Sequence, residues 1–207
     1  MIKVSRYTLT MVVIIVCQIT IMSCAFAKER TFRGKVIDFE TKEPIEGAIV
    51  VAIWYEERAT VAGGDTRVKD VKEVLTDKSG EWSIVGPEGR NYDLLPGLSF
   101  WTGIYFTREP IFIIFKPGYC SWPHGFSIDA CKGKMKPSKL REIKEGKNIE
   151  LGKLMNKEDR LKAHPSPIYS GNEREKEFLE KQKEFIRLLE QEDRYLWPNK
   201  DSSGGKK

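Results

Sequence analysis

The stretch Ala48–Tyr55, AIVVAIWY, is apolar at eight consecutive positions and rich in β-branched and aromatic residues. Read as a strand, it sets Ala48, Val50, Ala52 and Trp54 on one face and Ile49, Val51, Ile53 and Tyr55 on the other, so both faces must be covered. The run Ile111–Phe115 repeats the demand, with Ile111, Ile113 and Phe115 on one side and Phe112 and Ile114 on the other. Two stacked sheets bury only one face of each strand, so a further element has to lie across the outside.

Four more short runs read as strands: Phe32–Asp38, Val71–Thr76, Trp82–Val85 and Asn148–Leu151. Turn chemistry separates them. In TDKSGEW, Asp77, Lys78 and Ser79 precede Gly80, which can take the positive φ of a tight reversal. In KPGY, Pro117 cannot donate to a ladder and Gly118 frees the turn. The stretch Gly34–Trp54, GKVIDFETKEPIEGAIVVAIW, reads as a hairpin, with Pro44 fixing the turn after the first strand and Gly47 returning the chain to the sheet. Two long connections interrupt this pattern, Glu56–Lys69 and Gly86–Pro110. The second contains LSFWTGIYF; its Phe100, Trp101, Tyr105 and Phe106 either pack inward as an extra hairpin or display a binding surface.

The C-terminal region supplies the covering element. Asn172–Tyr195 holds no Gly or Pro, and Phe178, Leu179, Phe185, Ile186, Leu189 and Leu196 recur at helical spacing. This is an amphipathic helix, placed over 172–198, which docks on the sheet's outer face or, in the alternative, in a coiled coil or a partner's groove. Before it, NKEDRLKA is a short helix capped by Asn156 and stopped by Pro165 and Pro167. Residues 199–207 read as a disordered tail.

The first 27 residues have the form of a secretory leader: Lys3 and Arg6, the apolar run MVVIIVCQITIM, then Ala25-Phe26-Ala27 as a small-x-small cleavage site. Retention as an uncleaved anchor, or acylation of Cys24, are the other readings, and each would tie the chain to the membrane. Cleavage leaves Cys120 and Cys131 of the four cysteines. In an oxidising compartment these pair as a disulfide. The alternative, a metal held by Cys120, His124 and Cys131, has no standard spacing and no fourth ligand. With 35 basic and 30 acidic residues mixed along the chain, there is no basic stripe of the kind that binds nucleic acid.

A set of these residues resembles a known family. Gly34, Val36, Asp38, Thr41, Pro44, Gly47, Ala48 and Val50, then Thr76, Asp77, Gly80, Trp82 and Ile84, then Pro117, Gly118 and Tyr119, follow the order seen in carboxypeptidase regulatory-like domains. The resemblance spans Phe32 to about Leu151. It implies a seven-stranded, antiparallel, transthyretin-like β-sandwich, a non-catalytic accessory module found in bacterial envelope proteins. The insertion between Ile84 and Pro110 and the appended helix depart from that pattern.

The resulting division is a signal peptide at 1–27, the β-sandwich at 28–154, a linker with a short helix at 155–171, the amphipathic helix at 172–198 and the tail at 199–207. No Gly-x-Ser-x-Gly elbow, phosphate loop or dinucleotide motif occurs, so no catalytic residue, cofactor or metal is assigned. The expected function is that of an exported periplasmic or envelope protein whose sandwich is a structural or protein-interaction module. The alternative is a carbohydrate-binding module. Trp101, Trp122 and His124 are the candidate ligand contacts, with a polysaccharide as the ligand, because flat apolar rings match the faces of sugars.

Overall fold

The computed structural model describes residues 29–61, 63–88, 101, 103–123, 129–134, 147–167 and 175–198. The expected leader, His124, the tail at 199–207 and most of the aromatic insertion lie outside the described residues.

The chain is mainly β. Its strands are β1 (Thr31–Asp38), β2 (Ile49–Thr60), β3 (Gly63–Leu75), β4 (Glu81–Val85), β5 (Phe106–Thr107), β6 (Ile111–Phe115) and β7 (Lys147–Leu151). They form two sheets, one in the order β4-β1-β7 and one in the order β3-β2-β5, with β6 also paired to β2. Among the described residues three α-helices follow: α1 (Lys157–Ala163), α2 (Glu175–Glu180) and α3 (Lys183–Leu196).

The alternation in β2 divides the core as its sequence demands. Ala48, Val50, Ala52 and Trp54 join Phe32, Val36, Trp82, Ile84, Phe112, Ile114, Ile149 and Leu151 in a cluster drawn from both sheets. Ile49, Val51 and Ile53 face the other way, with Val71, Ile113 and Phe115, and are covered by Phe178, Phe185, Leu188 and Leu189 of the C-terminal helices. That covering element is two helices where the periodicity predicts one. The break falls at Lys181–Gln182. The carboxylate of Glu73 on β3 accepts from the backbone N–H of Glu184 (2.8 Å) and Phe185 (2.9 Å), supplying α3 with an N-terminal cap from outside the helix. The helix at 157–163 has the cap expected of it, Asp159 N–H donating to Asn156 Oδ1 at 2.8 Å.

Three expectations are corrected. First, the antiparallel arrangement does not extend to every pair: β7 runs parallel to β1, Gly34 facing Lys147 through Asp38 facing Leu151. The alternation in KNIEL serves a parallel or an antiparallel ladder equally, so it carries no signal of direction. Second, GKVIDFETKEPIEGAIVVAIW is not a hairpin, because β1 and β2 belong to different sheets. The turn at Pro44–Gly47 carries the chain from one sheet to the other. Third, Glu56–Lys69 is not a loop. β2 and β3 continue through it as one hairpin, with Thr60 facing Gly63. The parts of the two strands from Glu56 to Thr60 and from Gly63 to Arg67 lie outside both apolar clusters, so they carry polar residues and no hydrophobic period.

Cys120 and Cys131 form a disulfide, Cα atoms 6.0 Å apart, with both residues buried. With both sulfurs so engaged, neither is a thiolate, and the metal reading loses two of its three ligands.

Candidate functional site

The motif residues converge at one junction between the sheets, where polar side chains serve the backbone. Buried Thr76 donates its hydroxyl to the Ile45 carbonyl (2.6 Å) and accepts the Ala48 N–H (2.8 Å). Gly47 N–H bonds the Thr76 carbonyl and Thr76 N–H the Ala48 carbonyl, while the Gly80 carbonyl takes the Val36 N–H. Asp77 Oδ1 accepts from Ser79 and Glu81 backbone N–H, each at 2.9 Å. Its carboxyl is held below the usual range, first by the Ser79 hydroxyl and then by the Glu81 N–H. Asp38 makes a similar turn at the end of β1, accepting from Glu40 (2.8 Å) and Thr41 (3.0 Å). Burial pushes its pKa up, but the N–H groups of Thr41 and Glu40 with the Tyr119 hydroxyl outweigh it, and the net shift is downward. These carboxylates are turn-makers, each with Oδ1 engaged by the N–H groups of its own turn.

The second polar constellation lies on the far part of the β2–β3 hairpin. The residues from Glu56 to Thr60 and from Gly63 to Arg67 run past both apolar clusters, an arm of about 15 Å at the usual rise per residue. Its charges are matched across the strands: Arg58 Nη2 to Asp65 Oδ2 at 2.8 Å and Arg67 Nε to Glu56 Oε1 at 2.6 Å. Tyr105 lies against this face, its hydroxyl donating to Asp65, with the Arg67 and Arg58 guanidiniums 3.9 Å and 4.7 Å from the ring centre. The Tyr105 hydroxyl is the first cause that lowers the Asp65 pKa, followed by Arg58; the same bond raises the phenol's. β5 pairs with β2 at Glu56 and Glu57, where Arg108 also bonds Glu57. The arm is thus braced on one face, while Val61 at its tip is 94% exposed.

Of the residues singled out from sequence, Trp101 is on the surface, 85% exposed, and Trp122 is in the core at 1%. Trp122 forms a two-bond bridge with Ile114, each N–H donating to the other's carbonyl at 2.8 Å. The two rings therefore do not share a surface, and Trp122 is withdrawn as a ligand contact. The aromatic insertion divides likewise, Phe106 packing inward and Trp101 facing solvent. Tyr105 was named only as one ring of the aromatic insertion, and Arg58, Asp65 and Arg67 were not anticipated. The signal for them is the mirror arrangement of opposite charges about the Thr60–Gly63 reversal, Glu56 with Arg67 and Arg58 with Asp65, which is the mark of a cross-strand ladder.

No family model matches the chain, and no curated protein matches it. Solved structures resemble it weakly. A 3-chlorocatechol 1,2-dioxygenase from Rhodococcus opacus 1CP is 18% identical with a TM-score of 0.30, over 61% of this chain and 60% of that one. Catechol 1,2-dioxygenase from Acinetobacter radioresistens is 17% identical with a TM-score of 0.32, over 69% and 56%. The C-terminal domain of the shaft pilin spaA from Lactobacillus rhamnosus GG is 12% identical with a TM-score of 0.29, over 61% and 98%. The chain spans 60% or less of the dioxygenases it matches. At these values the likeness neither shows nor excludes an enzymatic activity.

Proposed function

We propose that this is an exported, non-catalytic envelope protein built on a transthyretin-like sandwich of the carboxypeptidase regulatory-like kind, and that it serves as a structural or protein-interaction module. The observation that carries the reading is the arm. It extends about 15 Å beyond the apolar clusters, its charges are internally matched and its tip residue Val61 is 94% exposed, the form of an element that reaches for a partner. Export is supported by the leader-like composition of residues 1–27 and by the buried disulfide, which suits an oxidising compartment. The motif residues support a scaffold, since Thr76, Asp77 and Asp38 are occupied by turn backbone.

The test is crosslinking in cells from a photoreactive residue introduced at Val61, with one at exposed Lys78 as control. Adducts from Val61 and none from Lys78 support an arm-mediated contact; no adduct from Val61 overturns it. A second reading, carbohydrate binding, rests on Trp101 alone, an indole at the surface with 85% exposure. Retention of a polysaccharide that Trp101→Ala abolishes would favour it, and retention unchanged by that substitution would remove it.

A further inference from the structure

β3 is the terminal strand of its sheet, and among the described residues no strand pairs with its outer edge. An open edge is a template for another strand. Natural edges are blocked by charge, bulge or cover, and on β3 that protection is confined to one half. The register against β2 shifts between Trp54 and Tyr55, skipping Lys69. Beyond the shift, the Asp70 carboxylate takes the N–H of Val71 at 2.9 Å. Lys181 reaches over to Asp70 from the α2–α3 junction, and Lys72 Nζ reaches the Val85 carbonyl of β4, each at 2.8 Å. From Gly64 to Val68 the register runs unbroken and, among the described residues, no lysine reaches across the edge, while the two charges there, Asp65 and Arg67, are of opposite sign.

The direction of the free backbone groups follows from the reversal. Thr60 and Gly63 face one another with two residues between them, and in such a turn the flanking pair exchanges both backbone bonds. By alternation, Asp65 and Arg67 aim their N–H and C=O at β2, while Gly64, Thr66 and Val68 aim theirs outward. The Val71 N–H, caught by a carboxylate instead of by β2, fits the same alternation once Lys69 is skipped.

We propose that a second copy of this chain pairs with this edge, arm to arm and antiparallel, about a two-fold axis through Thr66. This rests on the arm being a contact element and names what it contacts. With Thr66 opposite its counterpart, the outward groups of Gly64, Thr66 and Val68 meet those of Val68, Thr66 and Gly64. In that register, and in no neighbouring one allowed by the alternation, Asp65 stands opposite Arg67 of the other copy, twice. Both side chains keep solvent access for it, 40% for Asp65 and 52% for Arg67. Opposite charges facing across strands favour the register and a paired threonine at its centre suits it. Five residues a side is a small interface, so the dimer is of the weak, concentration-dependent class.

The full chain, purified as the cell produces it, is sedimented over a range of concentrations up to about 1 mM, the weak limit of measurable association. A monomer–dimer equilibrium is expected. Thr66→Pro removes an outward N–H that β2 does not use, as edge strands tolerate, and should weaken dimerisation at least about tenfold with the circular dichroism unchanged. In parallel, Thr66→Cys treated with a short bis-maleimide should give covalent dimer where Lys78→Cys gives none, a readout that holds if the proline variant fails to fold. A chain that stays monomeric, a folded Thr66→Pro that dimerises like the native protein, or equal crosslinking at both cysteines overturns self-pairing. A monomeric chain whose Val61 crosslinks to a different protein in cells leaves the module reading in place while removing this one.

Discussion

Gly80 has a φ of +76°, and a Cβ built on it would run into the Val36 carbonyl oxygen and lie 3.1 Å from Pro44 Cβ. Both the backbone conformation and the space therefore exclude a side chain. Gly103, with a φ of +67° and nothing within 4 Å of its Cβ position, meets only the first restriction. Gly80→Ala should accordingly cost roughly 2 kcal/mol or more and Gly103→Ala about 1 kcal/mol, measured by chemical denaturation; equal losses would show that the crowding at Gly80 is relieved at no expense. Asp38 makes a pH prediction. Its carboxyl is lowered on folding, so the stability it adds is present above the unfolded value of about 4 and is lost as pH falls through the lower folded value. Asp38→Asn keeps an oxygen for the Glu40 and Thr41 N–H groups and removes the titration. The native protein should lose stability more steeply than this variant as pH falls below about 4; parallel curves would exclude Asp38 as a contributor.

Glu73 shows how one element decides the shape of another. It lies on β3, more than a hundred positions before α3, yet its two oxygens cap that helix at Glu184 and Phe185. Gln182, buried beside it, turns its amide back to the Phe178 carbonyl at 3.0 Å and gives the helix no side-chain cap of its own. Glu73→Ala should therefore cost about 1–2 kcal/mol, the usual loss for a helix cap, and speed amide exchange at Glu184 and Phe185; unchanged exchange would place the cap elsewhere. This is also why the helix break was not legible in the sequence. Residues 172–195 contain no Gly or Pro, and a stop signal supplied from a distant strand leaves no local trace. The faces of β2 and β6 were legible because alternation reports which side of a strand is buried. Alternation does not report the neighbouring strand. That is why the crossover at Pro44–Gly47 reads as a hairpin and why the parallel entry of β7 is invisible in KNIEL. At the candidate site the sequence did not separate surface Trp101 from buried Trp122, since aromatic residues mark core and surface alike; Tyr105 acquires its role only where β5 meets the arm.

Over the whole molecule, β2 is the strand on which both apolar clusters depend, one drawn from the two sheets and the other closed by α2 and α3. The helices are fastened at two levels: Phe178, Phe185, Leu188 and Leu189 fill the outer face, and the buried Glu192 pairs with Arg160 of α1 through two bonds of 2.6 Å. Removing one ring tests the packing. Phe185→Ala should cost about 3–5 kcal/mol, the range for a large core ring, because Phe185 is fully buried and its ring meets Phe115 edge-on at 6.2 Å. Removing the whole layer tests the architecture. A chain ending at Pro167 would uncover Ile49, Val51, Ile53, Ile113 and Phe115 together, a continuous apolar face of the kind that soluble monomers do not display. It should bind a hydrophobic dye, aggregate on size-exclusion chromatography and lose stability far beyond the single substitution. A truncated chain that stays monomeric, dye-free and nearly as stable as the full protein would mean that the outer face does not need its helices, and the double-sided demand written into Ala48–Tyr55 would then have to be met some other way.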